Sequence, residues 1–293
     1  MISAITRSIG RSRRSLVEPS LLKKSIYINT SIRSNNMSTA AAIPITTKSK
    51  SRSRSSSPSR ILAKKNWNAE DAVPNHIKKL LVPTDPNARI NYILAFIQIV
   101  RLLKTQKRTG WVDRGIPPRK VESIGDHMYR MSIIAMLVPN SNINLDKCVK
   151  IAIVHDIAES LVGDITPFGG VTKAEKHRRE LESINYLSSI IKPYNPEYAQ
   201  EIVELWLDYE EIRTIEARYV KDIDKYEMIQ QAWEYEQEYG LKYDLSEFYD
   251  SRSAIVSSEI GELCDEVIRQ RNIFVAQLKE EQKVEDQSGE ITN

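Results

Sequence analysis

Residues 151–160, IAIVHDIAES, decide how this sequence is read. Ile151, Ala152, Ile153 and Val154 lead into His155 and Asp156 side by side, and Glu159 follows three residues on. An unpaired charge among apolar groups costs several kcal/mol or neutralises itself, so an aliphatic segment keeps His-Asp only with a compensating partner. On a helix, His155 and Glu159 are four apart and Asp156 and Glu159 three apart, so the side chains converge on one rim. One imidazole and two carboxylates suit a divalent cation such as Mn, Co or Mg, with Zn also compatible. A single helix cannot complete the coordination shell, so other helices must contribute.

Two residues stand out as contributors. His127 sits in the first turn of the helix expected in SIGDHMYRM. Asp224 lies in ARYVKDIDKYEM, with Tyr219, Val220, Ile223 and Met228 as packing residues around it. Asp222 is the rival acid, but the spacing to Glu227 and Met228 favours Asp224. An adjacent His-Asp pair alone more often caps a helix or pairs at a surface. The helical setting, the upstream His and the downstream acid together point to ligation.

The rest of the chain bounds the answer. Its 293 residues, 41% of them hydrophobic, can bury a core. The net charge of +3 is uneven: residues 1 to 65 hold 14 Lys and Arg against Glu18 alone, while the remainder carries 28 basic and 38 acidic side chains. A nucleic-acid-binding basic face is therefore not expected on the folded part. Cys148 and Cys264 lie far apart in sequence and outside any Cys-x-x-Cys pair, which argues against a disulfide framework and a thiolate zinc site and fits a reducing compartment. No apolar run approaches the roughly 20 residues needed to cross a bilayer, so no membrane association is expected. Residues 1–85 are expected to be a disordered Ser/Arg/Lys-rich tail and linker. Within it, residues 1–36 have the Arg- and Ser-rich, acid-poor character of a transit peptide, and Met37 offers a second start. KSKSRSRSSSPSR reads as a phosphorylatable solvated tract, with RNA binding or nuclear import the lesser reading. The expected location is intracellular, in cytoplasm and nucleus, with a mitochondrial form if residues 1–36 act as a transit peptide.

From residue 86 the pattern is helical, and no segment alternates with period two, so the fold is expected to be an all-α helical bundle over residues 86–278. Helices are predicted in INYILAFIQIVRLLK, in HMYRMSIIAMLV behind a Ser123 capping box, and in one continuous segment LDKCVKIAIVHDIAESLV capped by Asn144. A Thr172–Glu175 capping box opens a charged helix through about Ile191, and Asn195-Pro196 starts another. A long helix is predicted over about 211–239, a last one over about 254–278, and an acidic disordered tail over 279–293.

His…His-Asp…Asp across about 100 residues is the HD-domain metal signature, and the chain from about Leu94 to about Arg271 resembles the HD-domain 5'-deoxynucleotidases. The segments that carry the resemblance are LLKTQKRTGWVDRG, ESIGDHMYRM, VHDIAESLVGDITP, KAEKHRRE and VKDIDKYEM, in that order. The family's enzymes are metal-dependent and dephosphorylate deoxyribonucleoside 5'-monophosphates. The resemblance implies an HD-domain bundle in which His127, His155, Asp156 and Asp224 hold a first metal. Glu159 and Asp164, with the backbone carbonyl of Ile165, match positions given to a second. It also implies a homodimer.

A divalent ion would screen the phosphate and lower the pKa of an attacking water, and Glu159 could then orient or deprotonate that water or protonate the leaving 5'-oxygen. One carboxylate cannot do this and also ligate a second ion, so its role stays open. Upstream, Lys104, Lys107, Arg108, Trp111 and Arg114 form a basic cluster around an aromatic. Its bland reading is a solvated loop with a core Trp. The resemblance implies substrate contact instead, with Arg108 on the phosphate and Trp111 against the sugar; a further expectation is that Trp111 and Asp164 help exclude a ribose 2'-hydroxyl. His177, among charged neighbours, is expected to be exposed. His76 is assigned nothing, and Trp206 and Trp233 are expected in core or interface. Competing readings are a non-catalytic HD-fold binding protein and an HD hydrolase of deoxynucleoside triphosphates or guanosine tetraphosphate. The tetraphosphate enzymes follow His-Asp with a Glu-Asp pair, whereas Ser160 follows Glu159 here.

Overall fold

Side-chain caps set most of the helix starts. In the computed structural model, which describes residues 66–139 and 142–290 (side chains to 283), eleven α-helices follow one another. The Arg-Ser tract and the candidate targeting segment lie outside the described residues. The helices are α1 Ala69–Ala72, α2 Asn75–Lys78, α3 Ala88–Val100, α4 Thr109–Asp113, α5 Ile124–Leu137 and α6 Leu145–Val154. They continue with α7 Glu159–Val162, α8 Lys173–Ile191, α9 Pro196–Glu211, α10 Ile215–Tyr239 and α11 Ser258–Glu290. Among the described residues the only strand-like pairing is an isolated bridge between Lys107 and Ser123. The fold is all-α.

The Ser123 hydroxyl oxygen accepts a hydrogen bond from the Asp126 amide, and the Asp126 carboxylate accepts one from Ser123 N–H, closing the predicted capping box of α5. The Asn144 and Asn195 side chains cap α6 and α9 by accepting from Lys147 N and Tyr198 N, without a returning bond. At α8 only half of the predicted box forms. Thr172 accepts from Glu175 N, but the Glu175 carboxylate accepts instead from Arg178 and Arg179. Loss of such a cap costs about 1 kcal/mol.

α5 lies along α6, α8 along α9, and α10 packs against α5, α6 and α11. Ile99, Met131, Ile151, Ile184, Ile202 and Ile223 are buried between these layers, each worth roughly 1.5–3 kcal/mol. Trp206 and Trp233 are core residues, as their helical stripes imply. Cys148 and Cys264 are free and buried. No described helix is long and apolar enough to cross a membrane.

Four expectations need correction. The expected linker up to residue 85 contributes to the core from Trp67 onward: Trp67, Ala69, Val73 and Ile77 are all buried. Ala69 N donates to Glu182 and Arg178 donates to the Trp67 carbonyl, so this segment is pinned to α8. The expected continuous helix through His155 breaks at Val154. There the backbone bonds shorten from i−4, as in His155 N to Ile151 O, to i−3, as in Glu159 N to Asp156 O. In this tighter winding residues three apart eclipse, so Asp156 and Glu159 share a face and His155 is offset from Glu159. The long helix starts at Ile215 instead of near Glu211, because Ile212 takes a left-handed conformation (φ 52°) and Thr214 caps α10. The last helix begins at Ser258 and runs to Glu290, where a disordered acidic tail was expected; a 3-10 segment, Ser246–Ala254, precedes it.

Candidate metal centre and cleft

Three separate elements deliver the expected ligands to one point. α5 supplies His127, the turn after α6 supplies His155 and Asp156, and α10 supplies Asp224. Donor atoms of His127, His155 and Asp224 all lie within 4.8 Å of one another. Asp156 Oδ2 is 3.1 Å from His155 Nε2 and 4.0 Å from His127 Nε2, and Asp224 Oδ1 is 3.2 Å from His127 Nε2.

Each ring is oriented from behind. His155 Nδ1 donates to the Ala152 carbonyl at 2.9 Å, and His127 Nδ1 meets Glu227 Oε2 at 2.5 Å. Glu227 is in turn held by Arg130. Both Nε2 atoms are buried without a hydrogen-bond partner of proper geometry. Backing of this kind fixes the tautomer that turns Nε2 toward a metal. Two orphaned imidazole nitrogens beside two carboxylates are a donor set that fits a divalent cation.

The electrostatics agree. Burial opposes charge on Asp224, but the adjacent His127, with His155 and Arg108, holds it well below the usual carboxylate range. Burial and Arg108 push the His127 imidazole down. Glu227 and Asp224 outweigh them and bring it up to about 10. A divalent ion bound by His127 would take the place of that proton.

The opposite acid, Asp222, is not part of the cluster. It is fully buried, accepts from Arg218 Nη2 at 2.6 Å and from the amides of Val256 and Ser257, and so ties α10 to the loop before α11.

The cluster lies at the wall of a cleft of about 1430 Å³ lined by Arg108, Trp111, Arg114, Glu159, Asp164 and Lys176, among others. Arg108 Nη1 is 3.5 Å from Asp156. Burial works against its charge, but Asp164, Asp156 and Asp224 raise its pKa further still. Trp111 is only 2% exposed; its indole N–H donates to Glu122 at 2.9 Å and its ring packs on Tyr235 and Phe248. It is thus a core residue that also lines the cleft. Arg114 pairs with Glu247 and lies over Phe168 and Phe248. Lys104 is exposed outside the cleft lining, and Lys107 is spent on the Val121 carbonyl. His177 is half exposed beside Glu210, and His76 is exposed.

Around Glu159 the donors are already engaged. Lys176 Nζ is 3.4 Å from Glu159 Oε1 and donates to the Ile165 carbonyl at 3.1 Å. Asp164 accepts from the Thr109 amide at 2.6 Å. Burial, then Asp156 and Asp164, push the Glu159 carboxyl well above its ordinary value, and its Oε2 has no partner.

Four residues of the site were not foreseen from sequence: Glu227, Glu122, Lys176 and Tyr209, whose hydroxyl donates to Asp224 at 2.8 Å. For Glu227 a signal existed, since it lies three residues after Asp224 on the same helical face.

Comparison with known proteins agrees with this geometry. Residues 100–264 match the HD domain family. The chain is 50% identical to 5'-deoxynucleotidase YBR242W of Saccharomyces cerevisiae over 72% of its length and 87% of the relative's. It is 49% identical to 5'-deoxynucleotidase YGK1 of the same yeast over 73% of its length and 97% of that protein. A solved structure, HD domain-containing protein YGK1, is 40% identical, with a TM-score of 0.57 over 72% of this chain and all of that one. With its helical bundle and the clustered His127, His155, Asp156 and Asp224, the chain belongs to the HD-domain 5'-deoxynucleotidase family.

Proposed function

We propose that this protein is a metal-dependent 5'-deoxynucleotidase, which hydrolyses deoxyribonucleoside 5'-monophosphates to deoxyribonucleosides and phosphate. The observation that carries the reading is the pair of orphaned imidazole nitrogens converging with Asp156 and Asp224 at a cleft that also holds a partly buried arginine, Arg108. His127, His155, Asp156 and Asp224 would hold one Mn, Co or Mg ion. Bound there, the ion supplies Lewis-acid screening of the phosphate and a water of lowered pKa.

The chain's own residues supply the rest. Arg108, fixed beside Asp156, presents its guanidinium to a phosphate entering the cleft, a geometry suited to bidentate pairing. Glu159 keeps one oxygen free and is assigned the proton: the P–O5' bond breaks as water oxygen bonds to phosphorus, and the leaving 5'-oxygen must gain a proton. Trp111, held by Glu122, Tyr235 and Phe248, gives the sugar a rigid wall, and with Asp164 it is the proposed barrier to a 2'-hydroxyl.

The homodimer is supported by an exposed apolar stripe on α5, where Tyr129, Ile133 and Met136 recur at helical spacing; sedimentation at micromolar concentration tests it. Localisation to cytoplasm and nucleus, or to mitochondria for a chain starting at Met1, rests on sequence alone, and the N-terminal residue of the mature protein distinguishes them.

The test of activity is phosphate release from dAMP, dCMP, dGMP and dTMP with Mn, Co or Mg, before and after chelation, with AMP as counter-substrate. A metal-replete protein inert on all four would move the assignment to a non-catalytic binding protein or, if it cleaves triphosphates, to another HD hydrolase.

A further inference from the structure

Lys176 occupies an uncommon position. It lies in the opening turns of α8, where the helix dipole disfavours a cation. There its ammonium is 3.4 Å from Glu159 Oε1, 3.4 Å from Glu180 Oε1 and 3.1 Å from the Ile165 carbonyl. Glu159 and Glu180 are nearly buried, whereas the lysine side chain is one-third exposed and faces the cleft. A flexible four-carbon stem lets such a group withdraw without moving the backbone. Two of the three donors that the resemblance gives to a second metal ion, Glu159 and the Ile165 carbonyl, are thus held by the protein's own cation. The third, Asp164, already accepts from Thr109 N. The first cluster differs in keeping two donors open: Arg108 lies 3.5 Å from Asp156 and Tyr209 donates to Asp224, but His127 Nε2 and His155 Nε2 are orphaned.

We infer that Lys176 competes with a second divalent ion for Glu159 and the Ile165 carbonyl, so that this ion binds more weakly than the first and only by displacing the lysine. The inference rests on the reading that His127, His155, Asp156 and Asp224 hold the first ion. Its consequence bears on Glu159: while Lys176 holds Oε1, Oε2 is left for proton transfer, and were a second ion to enter, the carboxylate would become a ligand.

The test is calorimetric titration of the chelator-stripped full chain with Mn, at fixed pH, for wild type, Lys176→Met, Lys176→Arg and Lys173→Met. Lys173 lies in the same opening turn, is exposed at the cleft rim and touches none of these donors in the contacts described, so it controls for loss of a nearby charge. Wild type is expected to show one tight ion and a weaker or undetected second. Lys176→Met should tighten the second ion by about tenfold or more, or make it appear, with the first within about threefold; Lys176→Arg and Lys173→Met should behave as wild type. Retention of the first ion also shows that each variant is folded. An unchanged second ion in Lys176→Met, equal tightening of both ions, or the same gain in Lys173→Met overturns the inference. Failure of the underlying reading looks different: no tight ion in wild type, or a tight ion that survives His155→Ala.

Discussion

Asp222 and Asp224 lie two residues apart on α10 and do opposite things. Asp222 is sealed: Arg218 and two backbone amides fill its oxygens. Asp224 is left incomplete, with Tyr209 on one oxygen and an orphaned imidazole beside the other. Both are acids on a helix otherwise rich in packing residues, so residue type does not separate them. What separates them is whether the protein has finished their coordination. The unfinished carboxylate is the one available to a ligand.

The sharpest way to break this contrast is to exchange losses. Asp224→Asn is expected to lower phosphate release from dAMP by about three orders of magnitude or more, the scale of ~4 kcal/mol in the barrier, while ion-free stability by urea unfolding changes by less than about 1 kcal/mol. Asp222→Ala should do the reverse. It leaves Arg218 and two amides without their acceptor and should cost about 3 kcal/mol of stability, with kcat per folded molecule retained. A stability loss in Asp224→Asn larger than that in Asp222→Ala would erase the distinction.

Next in size is Arg108→Ala, expected to raise KM for dAMP by about tenfold to a hundredfold through loss of a charge-assisted phosphate contact. The same substitution should leave binding of the deoxyribonucleoside product nearly unchanged; an equal loss for both would place Arg108 in structure rather than in phosphate binding. Trp67→Ala probes the N-terminal segment packed on α8 and should cost about 3 kcal/mol, the range for deleting a buried aromatic, without altering the ratio of activities on dAMP and AMP. The smallest expected effect is on selectivity. Trp111→Ala should narrow the dAMP-to-AMP ratio of kcat/KM by about tenfold, whereas unchanged discrimination would remove Trp111 from the sugar wall.

The comparison also marks what was legible in sequence. Short-range signals survived: Ser123, Asn144, Thr172 and Asn195 cap the helices they precede, because capping is decided within four residues. The His127, His155, Asp156 and Asp224 cluster was legible from spacing and from the need to compensate charge among aliphatic residues. The partners that complete it were not. Glu227, Tyr209 and Lys176 acquire their roles only through helix packing, and each alone reads as a solvated or core residue. The break at Val154 carries no Pro or Gly, so nothing local announced the tighter winding that eclipses Asp156 with Glu159. Trp67 to Ile77 escaped because two four-residue helices are too short to show periodicity.

The most direct test of the central claim is the metal content of the purified chain after Mn loading and desalting, measured together for wild type, His127→Ala, His155→Ala, Asp224→Asn and Asp222→Ala. The account predicts a retained ion in wild type and in folded Asp222→Ala, and its loss in the other three in parallel with phosphate release from dAMP. A full complement of ion in His155→Ala and Asp224→Asn, or activity that persists without any ion, would contradict it.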